Sequence, residues 1–358
     1  MAQPRWKVIG ASGFVGSSIV ARLASQGIEF EAVEAPRLVT RTDQADRLIE
    51  EARKLDGIID SLAESFAGCD LVINASGLAA PDQKDLAPLL GANALLPAVI
   101  AIAAQRTGVQ RVIHLSSAAV LGHQPRLTSS PDTQPFSAYS FSKALGEEVL
   151  LALSRFIEAQ AQEGQAPGSK DSQFPAAPSS KPAFVAADHA LEICILRATS
   201  VQGSGRRTTE AFAKFASSPL ASIAGASRPS PVSSNYALAE FVQLLGSYQG
   251  KLPAIVLQPW EGATTESVII DAGRRLPLRL PEPLCRSVLA LGQLVNRLLG
   301  ETFSGPLRRI EVMWFGQDID DSWARAEGLV PSPRIEEVLR SAHSALGSKQ
   351  DRKFSADS

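Results

Sequence analysis

The chain has 358 residues, of which 45% are hydrophobic and 20% charged, and its formal net charge is −2. This composition is typical of a globular protein with one large or two modest domains. The sequence has neither a basic block nor an uninterrupted run of 18 apolar residues, so we expect no nucleic-acid partner and no membrane partner. A first strand predicted from about residue 6 leaves no room for a secretory signal, which favours a cytoplasmic protein.

The cysteines and histidines form no recognisable ligand pattern. Cys69, Cys194 and Cys285 lie far apart, each in or beside an apolar run, which favours buried free thiols over a disulfide. The four histidines do not have the spacing of metal ligands. We therefore expect no metal site.

A glycine-rich turn follows the first predicted strand. The apolar run Trp6–Ile9 leads into the turn, and residues 17–24 continue with apolar side chains at helical spacing. Glycines let the backbone approach a pyrophosphate, whose charge would meet the unpaired N–H groups at the start of the helix. Glycine turns also occur as plain connections, so this turn alone is a weak signal. The cofactor-binding candidates in it are Gly10, Ser12, Gly13, Phe14, Val15 and Gly16.

A second strand, over residues 28–33, is predicted to end at Glu34. A carboxylate at this place would accept hydrogen bonds from the adenosine ribose hydroxyls and would repel a 2′-phosphate, so NAD is favoured over NADP. NADP remains an alternative cofactor because Arg37 is nearby, and an arginine can pair with a 2′-phosphate. A solvated pair of charges at a strand end is the alternative interpretation of both residues.

Further buried strands are predicted over 70–74, 111–115 and 191–197, and helices over 43–55, 61–67 and 86–106. The strand 70–74 opens into Ala75, Ser76 and Gly77, small residues that would let a cofactor lie against the backbone. The alternation of strands and helices predicts an α/β fold with a Rossmann-type, doubly wound parallel sheet that is covered on both faces.

Tyr139 and Lys143 open a helix that is predicted to end near residue 158, so they lie four residues apart on one face. The two other tyrosines, Tyr236 and Tyr248, are not followed four residues later by a lysine. A tyrosine and a lysine at this spacing usually form a surface pair, so the pair needs its context to indicate chemistry. The candidate catalytic function of the pair therefore depends on the motifs around it.

Together the motifs resemble the extended short-chain dehydrogenases/reductases, and within them the NAD-dependent epimerase/dehydratase family, which acts largely on nucleotide sugars. The resemblance rests on the turn 10–16, the segment 116–122, the Tyr139/Lys143 pair, the segment 196–203 and a closing helix pair within 323–339. It covers nearly the whole chain except a stretch rich in Gln, Ala, Pro, Gly and Ser, from about 159 to 183, which is typical of a mobile surface insertion.

The resemblance implies a domain organisation. Residues 1–203 are expected to form an NAD(P)-binding Rossmann domain that carries the insertion 159–183. Residues 204–347 are expected to form a smaller substrate-binding region, partly interleaved with the first domain. Residues 348–358 are expected to form a polar tail.

The resemblance also implies site residues. Ser117, Tyr139 and Lys143 match the catalytic residues of the family, and Asn93 and Lys143 match its cofactor contacts. Ser116 matches the catalytic serine of the family less well than Ser117 does. The implied substrate contacts, any one of which could instead be a solvated side chain, are Thr199, Arg206, Arg207 and Arg228.

The chemistry implied for these residues is proton transfer coupled to hydride transfer. A free tyrosine has a pKa of about 10, too high for a base at neutral pH, so its phenolate needs a nearby cation, which Lys143 can supply. Tyr139 would take a proton from a substrate hydroxyl, or return one to a carbonyl, while hydride passes between the same carbon and the nicotinamide. Ser117 would hydrogen-bond the same oxygen, and Lys143 would also hold the nicotinamide ribose.

The function implied is that of an NAD-dependent sugar-nucleotide 4-epimerase or 4-keto reductase in surface polysaccharide synthesis. The partner is then a small-molecule substrate, a nucleotide sugar, and a homodimer is suggested by analogy alone. One alternative is a hydroxysteroid-like or other alcohol dehydrogenase, whose cleft should be apolar and should lack convergent arginines. Another is a non-catalytic NAD(P)-binding regulator, which the intact Ser117, Tyr139 and Lys143 argue against.

Several positions depart from the family pattern. Leu121 replaces a tyrosine, Ala198 replaces a proline, and Asn235 stands where an aspartate is common. A Gly-Asp pair that should follow the third strand and touch adenine is not recognisable near Asp56 and Gly57, which indicates a degenerate third strand. These departures leave the hydride machinery intact and weaken any inference about the substrate.

Overall fold

The computed structural model describes residues 5–79, 83, 85–164, 190–299 and 303–356. The strands are β1 (Trp6–Ile9), β2 (Phe30–Val33), β3 (Leu71–Asn74), β4 (Arg111–Ser117), β5 (Arg126–Leu127), β6 (Glu192–Ala198), β7 (Ser200–Gln202), β8 (Ser222–Ala224), β9 (Val232–Ser234), β10 (Ile255–Leu257), β11 (Leu278–Leu280) and β12 (Asp318–Ile319).

The helices alternate with the strands in the first half of the chain and dominate the second half. They are α1 (Phe14–Ser25), α2 (Ala45–Arg53), α3 (Asp56–Phe66), α4 (Leu86–Leu90), α5 (Leu96–Arg106), α6 (Ala138–Gly164), α7 (Arg207–Ala216), α8 (Asn235–Ser247), α9 (Thr265–Gly273), α10 (Glu282–Leu298), α11 (Ser304–Phe315), α12 (Ser322–Ala326) and α13 (Ile335–Ala356). A π-helical turn, Gly91–Leu95, joins α4 to α5, and a 3₁₀ turn, Ala118–Leu121, follows β4.

Six strands form the central sheet in the order β2-β1-β3-β4-β6-β10, and every neighbouring pair is parallel. β3 is buried along its whole length, as expected for a strand that is covered on both faces. One hydrophobic cluster, which includes Val72 and Val112, fills the face under α5 and α6. Another, which includes Ile73 and Ile113, fills the face under α1 and α8. The predicted α/β, Rossmann-type doubly wound sheet is therefore confirmed.

The chain winds in one direction from β1 to β2 and then in the other direction from β3 onward. The switch lies between β1 and β3, where a crevice opens at the carboxyl ends of the strands. Among the described residues, the segment between β2 and β3 contains α2 and α3 and no strand, so β2 is the edge of the sheet. The degenerate third strand that the sequence indicates is thus absent from the sheet.

The helix over Leu86–Arg106 is long and apolar enough to cross a membrane by length and composition alone. However, 78% of its most apolar window is buried inside the protein. Leu96, Val99 and Ile100 of this helix belong to the hydrophobic cluster on one face of the sheet. The segment is therefore accounted for as a core helix.

The second half of the chain is shared between the sheet and a smaller unit. β10 returns to the central sheet beside β6, and α8 packs against α1. α7, α9 and α13 pack together around a separate cluster that includes Ile223 and Leu339. The boundary proposed at residue 203 therefore separates chain segments that interleave in space.

One predicted helix end is wrong. α6 runs to Gly164 instead of ending near residue 158, because the alanines, glutamines and glutamate that follow are good helix formers. α13 extends to Ala356 and so includes most of the segment predicted as a polar tail. The remainder of the predicted insertion, from residue 165 to 183, lies outside the described residues. The three cysteines are buried and free, as predicted.

Candidate active site

The glycine turn connects β1 to α1 at the crevice. Gly10 has φ +81°, and a Cβ there would lie 2.6 Å from the backbone nitrogen of Ser76. A Cβ on Gly16 would lie 1.9 Å from the carbonyl oxygen of Gly10. Gly13 is the N-cap of α1 and offers no side chain to the first N–H groups of the helix. Gly10 and Gly16 therefore require glycine, and the turn leaves helical N–H groups available to an anion.

The other predicted cofactor residues lie at the ends of the neighbouring strands. Glu34 follows β2 and is exposed, as is Arg37. Ala75, Ser76 and Gly77 follow β3, and the backbone N–H of Ala75 donates to the carbonyl of Ile9 at 2.9 Å. Because β1 lies between β2 and β3, these segments meet at one edge of the sheet. An elongated dinucleotide would fit here because the three segments lie along one edge of the sheet and because the glycines allow it to approach the backbone.

Asn93 lies in the π-helical turn and is fully buried. Its Oδ1 accepts from the N–H of Leu78 at 3.0 Å, and its Nδ2 donates to the carbonyl of Leu78 at 3.1 Å and to Ser142 Oγ at 3.0 Å. A Cβ on Gly77 would lie 2.8 Å from the same Oδ1. The side chain of Asn93 therefore fixes the loop after β3 against α6.

Ser117, Tyr139 and Lys143 meet where β4 ends and α6 begins. The Ser117 hydroxyl lies near enough to the Tyr139 phenol to lower the pKa of the phenol, and it accepts from the N–H of Ala119 at 3.2 Å. Lys143 is buried, and its Nζ donates to the carbonyl of Leu115 at 2.9 Å. Gly77 lies beside that ammonium, since a Cβ there would be 3.0 Å from Nζ. The predicted catalytic residues are thus close to the predicted cofactor loop.

Burial shifts the pKa values of both titratable residues. It raises the pKa of Tyr139, whereas the nearby Ser117 hydroxyl and the charge of Arg206 lower it. It lowers the pKa of Lys143 from 10.5 to about 8, opposed by the carboxylate of Glu147. The site therefore contains a phenol that needs help to ionise and a lysine that titrates near neutral pH.

A buried ion pair that we did not predict from the sequence lies close to Lys143. Glu147 and Arg197 are almost inaccessible, and their Oε2 and Nη2 atoms are 2.7 Å apart. Arg197 also donates to the carbonyls of Thr128 and Ser130 at 2.9 and 2.7 Å, and Ser116 donates to Glu147. Ser116 is therefore engaged in this network. An available signal was the i, i+4 series Tyr139, Lys143, Glu147 on one helix face.

A buried asparagine and histidine connect the cofactor loop to the interior. Asn74 Nδ2 donates to His114 Nδ1 at 3.0 Å, and Asn74 Oδ1 accepts from the N–H of Ser76. His114 therefore carries its proton on Nε2, which has no hydrogen-bond partner. Burial and the charge of Lys143 hold the pKa of His114 well below its usual value, so the ring is neutral. No sequence motif predicts this pair, since its members are 40 positions apart.

The predicted substrate residues are not all brought to the tyrosine. Arg206 packs over the ring of Phe14, with its Cζ 4.7 Å from the ring centre, and acts on Tyr139 electrostatically. Arg207 is exposed at the start of α7. Thr199 donates to Ser233 Oγ at 2.8 Å. Arg206 is therefore the predicted arginine that joins the cofactor turn to the catalytic residues.

Arg228 lies in a different place, on a polar cavity of about 450 Å³. Arg286 and Arg308 also line this cavity, together with His123 from the segment that follows Ser117. The ring of His123 packs edge-on against Phe136, 5.9 Å between centres, three residues before Tyr139. Arg228 and Arg286 both pair with Glu282. The cavity thus gathers three arginines and their carboxylate partners near the start of α6.

Residues 6–160 match the model of the NAD dependent epimerase/dehydratase family. Over these residues, which make up less than half of the chain, the sequence is similar to this family. The matched part contains the glycine turn, Ser117, Tyr139 and Lys143. The family identified from the motifs is therefore confirmed.

Curated relatives match over a similar length. One is 4-hydroxy-2-methyl-3-oxo-4-farnesyl-3,4-dihydroquinoline-1-oxide ketoreductase from Stigmatella aurantiaca, which is 28% identical over 154 residues. The alignment covers 40% of this chain and 44% of that protein. The chain thus matches less than half the length of the curated relatives that it resembles.

Solved structures match over almost the whole chain. MoeE5, in complex with UDP-glucose and NAD, has a TM-score of 0.58 at 17% identity, over 97% of this chain and 99% of its own. UDP-glucuronic acid 4-epimerase from Bacillus cereus, in complex with NAD, has a TM-score of 0.58 at 14% identity, over 95% of both chains. At these identities the similarity establishes a shared fold.

Proposed function

We propose that the protein is an NAD-dependent sugar-nucleotide epimerase or 4-keto reductase. The observation that carries this proposal is the grouping of Ser117, Tyr139 and the buried Lys143, with the Lys143 ammonium beside Gly77 in the loop after β3. The family match over residues 6–160 and the NAD complexes among the structural neighbours support the choice of cofactor. A role in surface polysaccharide synthesis would follow from such a substrate.

The cofactor would lie along the edge shared by β1, β2 and β3. Its pyrophosphate would meet the N–H groups at the start of α1, and its adenosine ribose would meet the exposed carboxylate of Glu34. The charge of Glu34 disfavours a 2′-phosphate, whereas Arg37 leaves room for one. When bound, the nicotinamide supplies the hydride acceptor or donor.

The residues of the chain supply the proton chemistry. Tyr139 accepts the proton of a substrate hydroxyl, and Ser117 hydrogen-bonds the same substrate oxygen. Lys143 and Arg206 provide positive charge that favours the phenolate over the neutral phenol. Glu147, paired with Arg197, helps Lys143 to stay protonated, because its carboxylate raises the pKa of that lysine.

The polar cavity supports an anionic substrate. Three arginines line it, and guanidinium groups bind phosphate oxygens in a bidentate manner. A diphosphate would compete with Glu282 for Arg228 and Arg286. A cleft for a hydroxysteroid would instead be apolar, so these arginines favour a nucleotide sugar.

A screen of nucleotide sugars with NAD(H) and NADP(H), by thermal shift and then product analysis, tests the proposal. Formation of a 4-epimer without consumption of added NADH identifies an epimerase. Oxidation of NADH by a 4-keto sugar nucleotide identifies a reductase. If no nucleotide sugar raises the melting temperature or is converted, the substrate class is wrong.

A second candidate is the reduction of a lipophilic ketone. The observation that favours it is an apolar groove of about 440 Å³ between α10 and α11, lined by residues such as Val288, Leu291 and Leu307. The matched curated relative is a ketoreductase whose named substrate carries a farnesyl group. Oxidation of NADPH or NADH by a prenylated ketone, with no turnover of nucleotide sugars, would establish this alternative.

A further inference from the structure

The exposed hydrophobic residues of the described chain are concentrated in one segment. Of fifteen large hydrophobic side chains that are exposed, ten lie between residues 276 and 303. They are Leu276, Leu278, Leu284, Val288, Leu291, Leu294, Val295, Leu298, Leu299 and Phe303. We call residues 274–310, which comprise β11, α10 and the start of α11, the basic hairpin. A contiguous apolar surface of this kind usually marks an interaction site.

The exposed residues form a stripe along α10. Leu284, Val288, Leu291, Val295 and Leu298 follow one another at intervals of four and three residues, so they share one helix face. They are between 44% and 79% exposed. The helix is therefore amphipathic, and its apolar stripe faces solvent.

A different face of α10 attaches the helix to the protein. Cys285, Leu289 and Asn296 are buried on that face. α11 lies alongside without a buried residue of its own, and the apolar groove separates the two helices. Val288, Leu291 and Val295 of the stripe line this groove, and Leu284 and Leu298 lie outside it.

The charge of this segment is opposite to that of the whole chain. Residues 274–310 contain seven arginines and two glutamates, a formal charge of +5, although the whole chain carries −2. Arg274, Arg275, Arg279, Arg297 and Arg309 are exposed. Glu282 is held by Arg228 and Arg286. Glu266 and Glu311, from outside the segment, pair with Arg279 and Arg308. The segment that exposes the apolar stripe therefore also exposes several arginines.

We propose that the basic hairpin docks on the surface of a membrane that contains anionic lipid. α10 has 17 residues, about 25 Å at 1.5 Å per residue, and lies in the plane of the surface without spanning it. Its leucines and valines enter the boundary between headgroups and acyl chains, and the arginines meet lipid phosphates. Docking of this kind does not require a run of 18 apolar residues. We expected no membrane partner because such a run is absent from the sequence, and its absence does not exclude surface docking.

A second copy of this chain fits the surface less well. Two copies that paired through the same face would bring two charges of +5 together, which opposes association. An anionic lipid surface satisfies the stripe and the arginines at once. α10 also forms a wall of the polar cavity through Arg286, Leu289 and Gln293, so the docked face adjoins that cavity.

Sedimentation of the full-length protein with lipid vesicles tests the docking. We expect binding to vesicles of phosphatidylcholine with phosphatidylglycerol, weaker binding in high salt, and little binding to phosphatidylcholine alone. The double variant Leu291→Asp/Leu298→Asp should lose the binding. Val39→Asp, which changes an exposed valine outside the hairpin, should retain it. Arg297→Gln should weaken binding about five-fold, since one basic residue near the surface contributes that much.

Two results would overturn the proposal. One is that the wild-type protein does not sediment with anionic vesicles at low salt. The other is a dimer in analytical ultracentrifugation that is lost in Leu291→Asp/Leu298→Asp while vesicle binding is absent, which would assign the stripe to a second copy. Circular dichroism of the double variant checks its fold, which these exposed positions should not disturb.

Discussion

The carboxyl edge of the sheet buries charged side chains, whereas the basic hairpin exposes apolar side chains. At the sheet edge, Glu147 and Arg197 are buried charges whose partners all come from the same chain. On the hairpin, Leu291 and Leu298 are exposed, and the same segment exposes several arginines. Buried charges without partners would be costly, so the first region has to be internally complete. The exposed apolar side chains of the hairpin are the reason why we propose an external partner for it.

The largest expected effect is on turnover, at the sheet edge. Tyr139→Phe removes the hydroxyl that carries the proton, so we expect kcat to fall about 10³-fold while NAD binding is retained. The measurements are steady-state kinetics with the substrate found in the screen and titration of NAD. Tyr248→Phe, whose hydroxyl pairs with Glu327, is the control and should leave kcat unchanged. Full turnover by Tyr139→Phe would exclude the tyrosine as the acid or base.

The next effect is on stability, through the buried ion pair. Glu147→Gln leaves Arg197 with an uncompensated charge in the interior, so we expect the free energy of unfolding to fall by about 3 kcal/mol. The matched control is Glu158→Gln, which breaks the exposed pair with Lys251 and should cost less than about 1 kcal/mol. Urea unfolding compares the two. Equal losses would mean that the Glu147–Arg197 pair is no more important than a surface pair.

The pH dependence of stability should reveal the buried lysine. Lys143 releases its proton near pH 8 in the native protein but only near 10.5 in the unfolded chain. Between these values the unfolded state binds more protons, so stability rises with pH. The wild type should therefore gain up to about 3 kcal/mol relative to Lys143→Met across this window. Urea unfolding at a series of pH values measures the difference, and a constant difference would contradict the shifted pKa.

The smallest effect is expected on the apolar stripe, without lipid. Leu291→Ala should change the free energy of unfolding by less than about 0.5 kcal/mol, because the side chain is 63% exposed. Leu289→Ala, two residues earlier on the same helix, should cost about 2 kcal/mol, because that leucine is buried. Thermal unfolding compares the variants. A large cost at Leu291 would show that the stripe packs against the protein in solution.

The sequence predicted the sheet well, because each strand is a short apolar run and the glycine turn has a local geometric cause. It predicted Ser117, Tyr139 and Lys143 through motif order, and their roles stay predictions. It missed Arg197 as the partner of Glu147, because these residues are fifty positions apart and meet only when β6 lies beside β4. Leu284, Val288, Leu291, Val295 and Leu298 have helical spacing in the sequence, but spacing does not show whether another element covers the apolar face.

Because no strand follows β2 in the sheet, β2 is an edge strand. The unpaired backbone N–H and C=O groups of an edge strand can pair with a strand of another molecule. β2 has four residues, and its exposed Glu31 pairs with Lys7 of the neighbouring strand. Shortness and charge are two ways in which natural proteins keep such borders from aggregating. We therefore expect Glu31→Ile to form fibrils or a precipitate during storage at high concentration. This aggregation should be detected before any loss of enzyme activity.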